Sequence, residues 1–314
     1  MSSLRFAAID IGSNAVRLLL ASVIGNGKSP VFKKECLIRM PIRLGSDAFL
    51  HKKIGESKAS SLIKTMKAFK QLIEAYDAVS FAACGTSALR EATNGPELVK
   101  RIREESKISI EIVEGGKEAE LICLNHPEKL GKSSQPFLYV DVGGGSTELT
   151  LMEKGKIVES TSMNIGTVRL LNNLVSEKTW KELKQWTKKL KKAHKPIEIV
   201  GSGGNINKLF RMARLKSGEP LSYKKLSKLR DLLAGYTVEE RVSKLDLRPD
   251  RADVIVPAAD IFLAVMKWSG GKSIDVPQIG LADGLVHMLY NQHVAEGGAK
   301  DHRQVKTAAL AKHN

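Results

Sequence analysis

Two stretches of this chain repeat one pattern, and the repeat restricts the folds open to it. Phe137-Leu138-Tyr139-Val140-Asp141-Val142 reads as a buried strand, Gly143-Gly144-Gly145-Ser146 as a turn, and the β-rich run from Thr147 to Met152 as the return strand. Near the N-terminus, Ala7-Ala8-Ile9-Asp10-Ile11 runs into the small polar turn Gly12-Ser13-Asn14, and Val16 to Val23 returns. Asp10 and Asp141 lie 131 residues apart. A strand, aspartate and glycine turn that recur at this separation predict a duplicated α/β core with a ligand held between its halves.

The turns have a definite chemistry. Glycines let the backbone reach φ > 0 and bring its N–H groups close to a bound anion, with no Cβ in the way, so both turns suit phosphate. Asp141 and Glu148 are hard oxygen donors suited to Mg²⁺, the usual companion of a phosphate chain. The structural alternative for a lone triplet is a flexible turn with Asp141 as its cap. The second copy weighs against it.

Elsewhere the periodicities alternate. Residues 31–40 read as a third strand, Ile42-Arg43-Leu44-Gly45 as the start of a loop, and residues 57–76 as an amphipathic helix packed on the core. A buried strand over 79–84 ends in Gly85-Thr86-Ser87-Ala88-Leu89-Arg90, where small hydroxyls and a guanidinium suit phosphate. A helix N-cap with a surface arginine is the plainer reading of the same residues. A helix over 96–105 and a strand over 108–113 precede Glu114-Gly115-Gly116-Lys117-Glu118-Ala119-Glu120, a helix start whose acids would ordinarily complement the helix dipole. Polar residues 126–135 mark the passage to a second domain. Beyond the second hairpin come a strand over 156–163, helices over 168–174 and 177–194, and a short strand over 197–200. That strand feeds Gly201-Ser202-Gly203-Gly204-Asn205 and a helix to about residue 214. Residues 248–257 approach a long helix, 273–276 form a short strand, and Gly280-Leu281-Ala282-Asp283-Gly284 opens a last helix to about residue 293. The tail reads as flexible.

Charge narrows the partner. The chain has 314 residues and a net charge of +16, which points to an acidic partner such as polyphosphate, nucleic acid or an anionic membrane. Much of the excess lies in residues 178–195 and in Lys224, Lys225, Lys228 and Arg230, on amphipathic helices whose ordinary role is a solvated face. Few aromatics interleave with these basic residues, so nucleic acid is not expected. No apolar run reaches membrane-span length, and the chain starts without a signal-like segment, so a cytoplasmic protein without a membrane is expected. Cys36, Cys84 and Cys123 are too few and too scattered for a disulfide framework or a zinc site; buried free thiols are expected.

The motifs Asp10-Ile11-Gly12-Ser13-Asn14, Asp141-Val142-Gly143-Gly144-Gly145-Ser146-Thr147-Glu148 and Gly201-Ser202-Gly203-Gly204-Asn205, in that order, resemble those of the exopolyphosphatase and guanosine pentaphosphate phosphohydrolase family. The likeness runs from about residue 6 to about residue 293. It implies two actin-like, ribonuclease H-like α/β domains with an interdomain cleft, as in the actin, sugar kinase and chaperone ATPase superfamily. Domain I is expected over 1–125 plus about 282–296, domain II over 126–281, and a flexible tail over 297–314. The chain stops before the C-terminal helical domain of many longer relatives. The resemblance makes Glu118 the base that activates water, although the family often places acidic and basic residues around it differently from Lys117 and Glu120 here. It departs again at the third turn, where Ser-Gly-Thr is common and this chain has Gly-Gly-Asn.

The resulting expectation is a Mg²⁺-dependent phosphoanhydride hydrolase that releases terminal phosphate from inorganic polyphosphate or guanosine pentaphosphate. Glu118 is the candidate catalytic residue. The phosphate-binding candidates are Gly12, Ser13 and Asn14, then Thr86, Ser87 and Arg90, then Gly143, Gly144, Gly145 and Ser146, then Gly203, Gly204 and Asn205. Asp141 and Glu148 are the metal candidates, with Asp10 as a third. A homodimer is allowed for. The rival readings are a non-catalytic polyphosphate or nucleotide sensor of the same fold and an ATP-using kinase.

Overall fold

The computed structural model describes residues 3–25, 30–124, 135–154, 156–194 and 197–296. The chain divides into two compact units, Met1–Asn125 with Leu281–Asn314, and His126–Gly280. The tail from residue 297, most of the 126–135 passage, Lys195 and the side chain of Cys123 lie outside the described residues.

The first unit is built on a five-stranded mixed sheet. β1 (Ser3–Ile11) is central, antiparallel to β2 (Val16–Ile24) on one side and parallel to β4 (Ser80–Gly85) on the other; β3 (Val31–Met40) and β5 (Glu111–Ile112) form the edges. From Phe6 to Ile11 every residue of β1 is buried, the continuous run expected of a strand covered on both faces. The helices are α1 (Leu44–His51), α2 (Glu56–Ala75), α3 (Ser87–Glu91), α4 (Gly95–Ser106), α5 (Gly115–Cys123) and, from the far end of the sequence, α13 (Leu281–Ala295). α13 packs on β1, β2, β4 and α5. It approaches α5 so closely that a Cβ on Gly284 would lie 1.9 Å from the Leu121 carbonyl oxygen. Asp283 pairs with Lys34 at 2.7 Å, and His287 stacks on Phe32 with centroids 3.7 Å apart.

In the second unit a six-stranded sheet repeats the same arrangement. β6 (Phe137–Val142) is antiparallel to β7 (Thr147–Glu153) and parallel to β9 (Glu198–Ser202); β8 (Lys156–Met163) forms one edge, and β11 (Ser273–Asp275) and β10 (Leu221–Ser222) extend the other. Its helices are α6 (Thr167–Leu171), α7 (Glu177–Ala193), α8 (Gly204–Met212), α9 (Tyr223–Ala234), α10 (Val238–Ser243), α11 (Pro249–Ala252) and α12 (Ile255–Ser269). The apolar α12 is the hub: Ala258, Ile261, Phe262 and Val265 are fully buried, and α7, α8 and α9 pack against it.

Three expectations need correction. Leu44 and Gly45 open helix α1, with Arg43 as its N-cap, instead of a loop, and the expected strand over 108–113 shrinks to Glu111–Ile112 because only those residues reach the ladder of β4. Cys84 is buried, and burial pushes its thiol pKa up, but Cys36 is exposed because β3 is an edge strand.

Candidate phosphate and cation site

The two hairpins agree residue for residue. Asp10 faces Arg17 across the β1–β2 ladder, and Asp141 faces Glu148 across β6–β7. Each turn is closed by the same bond: the Gly12 N–H donates to the Ala15 carbonyl at 3.1 Å, and the Gly143 N–H donates to the Ser146 carbonyl at 2.9 Å. A Cβ on either glycine would come within 3.2 Å of that carbonyl oxygen, which explains glycine at both positions.

A helix start grips each turn from one side. In the first unit the Gly45 N–H donates to the Ser13 carbonyl at 2.7 Å, and Arg43 N–H to the Asn14 carbonyl at 3.1 Å. In the second the Thr167 N–H donates to the Gly143 carbonyl at 3.0 Å, Val168 N–H to Gly144 at 2.9 Å, and the buried Arg169 sends its Nε–H to Gly145 at 2.6 Å. Within a planar trans peptide the N–H points opposite to the C=O. With their carbonyls held by the helix starts, the peptides must aim the N–H groups of Asn14 and Ala15, and of Gly144, Gly145 and Ser146, to the other side. Successive amides aimed one way form an anion-binding concavity.

The neighbouring parallel strand repeats too. β4 pairs Cys84 with Asp10, and β9 pairs Ser202 with Asp141, so Gly85-Thr86-Ser87 and Gly203-Gly204-Asn205 stand at matching places beside the two turns. Ser87 and Ser13 share a hydrogen bond between hydroxyls at 2.8 Å, and the Thr86 N–H donates to the Ile11 carbonyl at 3.2 Å. Gly203 has φ 101°, and a Cβ there would lie 2.7 Å from Asp141 Oδ1, so this turn demands glycine and rests against the carboxylate. Asn205 follows at the start of α8, half-buried.

The side chains at the strand ends separate the hairpins. Asp10 is 5% exposed and accepts a hydrogen bond from the Arg17 guanidinium, an internal ion pair. Asp141 and Glu148 are two carboxylates with oxygens within 4.8 Å of each other. Glu148 Oε1 accepts from Ser146 Oγ at 2.6 Å and from Ser162 Oγ at 3.0 Å, so its orientation is fixed. An oxygen-only donor pair held by hydroxyls fits a hard divalent cation such as Mg²⁺.

Glu118 lies in the first turn of α5, buried at 9% exposure in the first unit. Arg90, expected beside phosphate, donates through Nη1 to the Val113 carbonyl at 2.7 Å, and its Nε lies 3.7 Å from Glu114. It therefore also anchors the entry to the helix that carries Glu118. Sequence reasoning passed over Arg17, Ser162 and Arg169. The seven-residue interval shared by Asp10–Arg17 and Asp141–Glu148, and the paired Met40-Pro41-Ile42 and Met163-Asn164-Ile165, would have marked the first and the helix starts.

Residues 30–293 match the family described as Ppx/GppA phosphatases. A bifunctional 3-dehydroquinate synthase/phosphatase from Fusobacterium nucleatum is 34% identical over 197 residues, which are 58% of this chain and 29% of that protein. Exopolyphosphatase 1 of Mycobacterium leprae is 25% identical, over 90% of this chain and 88% of its own. The crystal structure of an exopolyphosphatase from Cytophaga hutchinsonii superposes with a TM-score of 0.80 at 25% identity, covering 92% of this chain and 98% of that one. This chain thus spans under a third of the bifunctional protein and most of the other two. Among the described residues, no helix is long and apolar enough to cross a membrane.

Proposed function

We propose that this chain, which belongs to the Ppx/GppA phosphatase family, hydrolyses phosphoanhydride bonds and removes the terminal phosphoryl group from inorganic polyphosphate or from guanosine pentaphosphate. The observation that carries the reading is the pair of helix-gripped turns, each aiming consecutive N–H groups to one side, with the Asp141–Glu148 pair on the second. Amide cradles of this kind suit phosphoryl oxygens. The exopolyphosphatase relatives favour turnover over mere sensing.

The residues divide the work as follows. The turn amides at residues 12–15 and 143–146 hold phosphoryl oxygens, with Ser13, Ser87, Thr86, Arg90 and the 203–205 turn as further donors. Asp141 and Glu148 hold the cation; Asp10 is committed to Arg17 and serves to fix the first hairpin. A bound Mg²⁺ supplies charge neutralisation at the phosphate oxygens. Glu118 takes a proton from the water that attacks the terminal phosphorus, and the shortened chain departs with the bridging oxygen. Phosphoryl transfer needs positioning and electrostatic stabilisation more than covalent catalysis, so no nucleophilic side chain is required.

The test is phosphate release from polyphosphate, guanosine pentaphosphate and ATP, each with and without Mg²⁺. Release from one of the first two, dependent on the cation, supports the reading. Binding without release by an active-site-intact preparation would return the sensor reading, and transfer from ATP to an acceptor would return the kinase.

A further inference from the structure

The helix α7 carries seven lysines and two glutamates over Glu177–Ala193, and its packing sorts them. Leu183, Thr187 and Leu190 are buried, and Trp180 meets Trp268 of α12 edge-on, with ring centroids 5.9 Å apart. This contact fixes the helix rotation. At 3.6 residues per turn, Lys178, Lys181, Gln185, Lys188 and Lys192 then share an arc of about 80° that runs for about 21 Å. All five are exposed. Glu177 and Glu182 fall on either side of the arc. The flanking lysines have local tasks: Lys189 pairs with Glu159 at 3.2 Å, and Lys184 sits over the Trp268 ring. Among the described residues the four lysines of the arc make no ion pair. Aligned like charges repel at i,i+3 and i,i+4 spacing, so the arc costs the free helix stability.

The direction of the arc is as informative as its charge. α6, which grips the β6–β7 turn, is joined to α7 by residues 172–176 only, so α7 starts at the turn end of the sheet. At its far end His194 Nδ1 lies 3.6 Å from Glu153, the last residue of β7 and the one most distant from the turn. The lysines therefore line a path along the length of the second sheet, from its turn end to the far end of β7.

We infer that this arc is a distal binding track for the body of a long inorganic polyphosphate chain whose end occupies the turn. The inference rests on the hydrolase reading for the identity of the polyanion. The four lysines follow one line at axial steps of about 4.5, 10.5 and 6 Å, with Gln185 in the wide gap, and a line of ammonium groups suits a linear polymer with a charge on every unit. Trp180 and Trp186 project off the arc, so no aromatic is available there to stack a nucleobase. The apolar face that a membrane-surface helix would sink into lipid is covered by α12.

The experiment compares the parent with the K178Q/K181Q/K188Q/K192Q variant and with the matching four-fold Lys→Arg variant. KM is measured for polyphosphate of several hundred units and for tripolyphosphate across a range of salt. The Gln variant is expected to raise KM for the long chain on the order of tenfold at low salt. The slope of log KM on log salt should fall by roughly 0.7 for each lysine removed. Tripolyphosphate kinetics should not change, and the Arg variant should behave as the parent. Labelled long-chain polyphosphate binding, measured with divalent cation chelated, reads the track without turnover. If the parent hydrolyses neither substrate, the hydrolase reading fails, while a binding loss in the Gln variant still upholds the track. Unchanged long-chain binding, an equal loss for both chain lengths, or displacement of polyphosphate by single-stranded nucleic acid at lower concentration would each overturn it.

Discussion

Across the first hairpin the strand-end aspartate looks at Arg17; across the second it looks at Glu148. Register, closing bond and helix grip are otherwise shared, so the two differ chiefly in electrostatics. In the first, the negative charge of Asp10 is answered within the protein. In the second, two carboxylates face each other with oxygens within 4.8 Å, a pairwise repulsion of about 3.5 kcal/mol or more at an effective dielectric of ~20, and the Ser146 and Ser162 hydroxyls donate to Glu148. Like charges directly opposite on a ladder destabilise it unless something else answers them. The difference teaches that a duplicated backbone can repeat its turn and helix grip residue for residue while one cross-strand position per copy, Arg17 or Glu148, sets the charge at the strand end.

The largest effect isolates turnover from both hairpins. Glu118→Gln keeps size and hydrogen-bonding capacity but cannot accept a proton near neutral pH, so turnover should fall roughly 10²- to 10⁴-fold, about 3 to 5.5 kcal/mol of barrier. Substrate binding by the variant should be retained. If turnover on every substrate of the parent persists undiminished, Glu118 is a helix-dipole partner and the base lies elsewhere.

Next comes stability, where the hairpins should respond with opposite signs. Arg17→Met leaves the buried Asp10 without its guanidinium and should cost about 1.5 to 3 kcal/mol in denaturant unfolding. Glu148→Gln removes one of two opposed charges and, without divalent cation, should leave stability unchanged or raise it. A matching loss in both variants would break the comparison.

The smallest effect concerns the helix that closes the first sheet. Burial holds the His287 imidazole pKa below its ordinary 6.5, against an opposing pull from Asp283. A depressed folded pKa means that the contribution is complete above 6.5 and is lost as pH falls through the folded value. The melting temperature should therefore fall more steeply on acidification in the parent than in His287→Phe. Parallel curves would remove His287 from the account.

Much of this was legible in the sequence for a physical reason. Runs such as Phe137–Val142 are buried on both faces, and continuous apolarity at strand length leaves little choice. The two glycine turns were legible because close backbone approach excludes a Cβ at Gly12 and Gly143. α1 was not legible, since its start carries Arg43 with φ 58° and no side-chain cap. The pairing of Asp10 with Arg17 was legible only through the interval it shares with Asp141 and Glu148, because a cross-strand partner is set by register, and register depends on turn geometry. Nothing in the sequence marks Arg169, which is buried against the Gly145 carbonyl because the helix start brings it under the turn.

The central claim is that the second hairpin, and not the first, carries the cation. Calorimetric titration of Mg²⁺ into the parent, Asp141→Asn and Asp10→Asn, each in the presence of a non-hydrolysable phosphoanhydride analogue, tests it directly. The account predicts cation binding in the parent, binding weakened at least tenfold in Asp141→Asn, and near-parental binding in Asp10→Asn. Loss of cation binding in Asp10→Asn with retention in Asp141→Asn would contradict it.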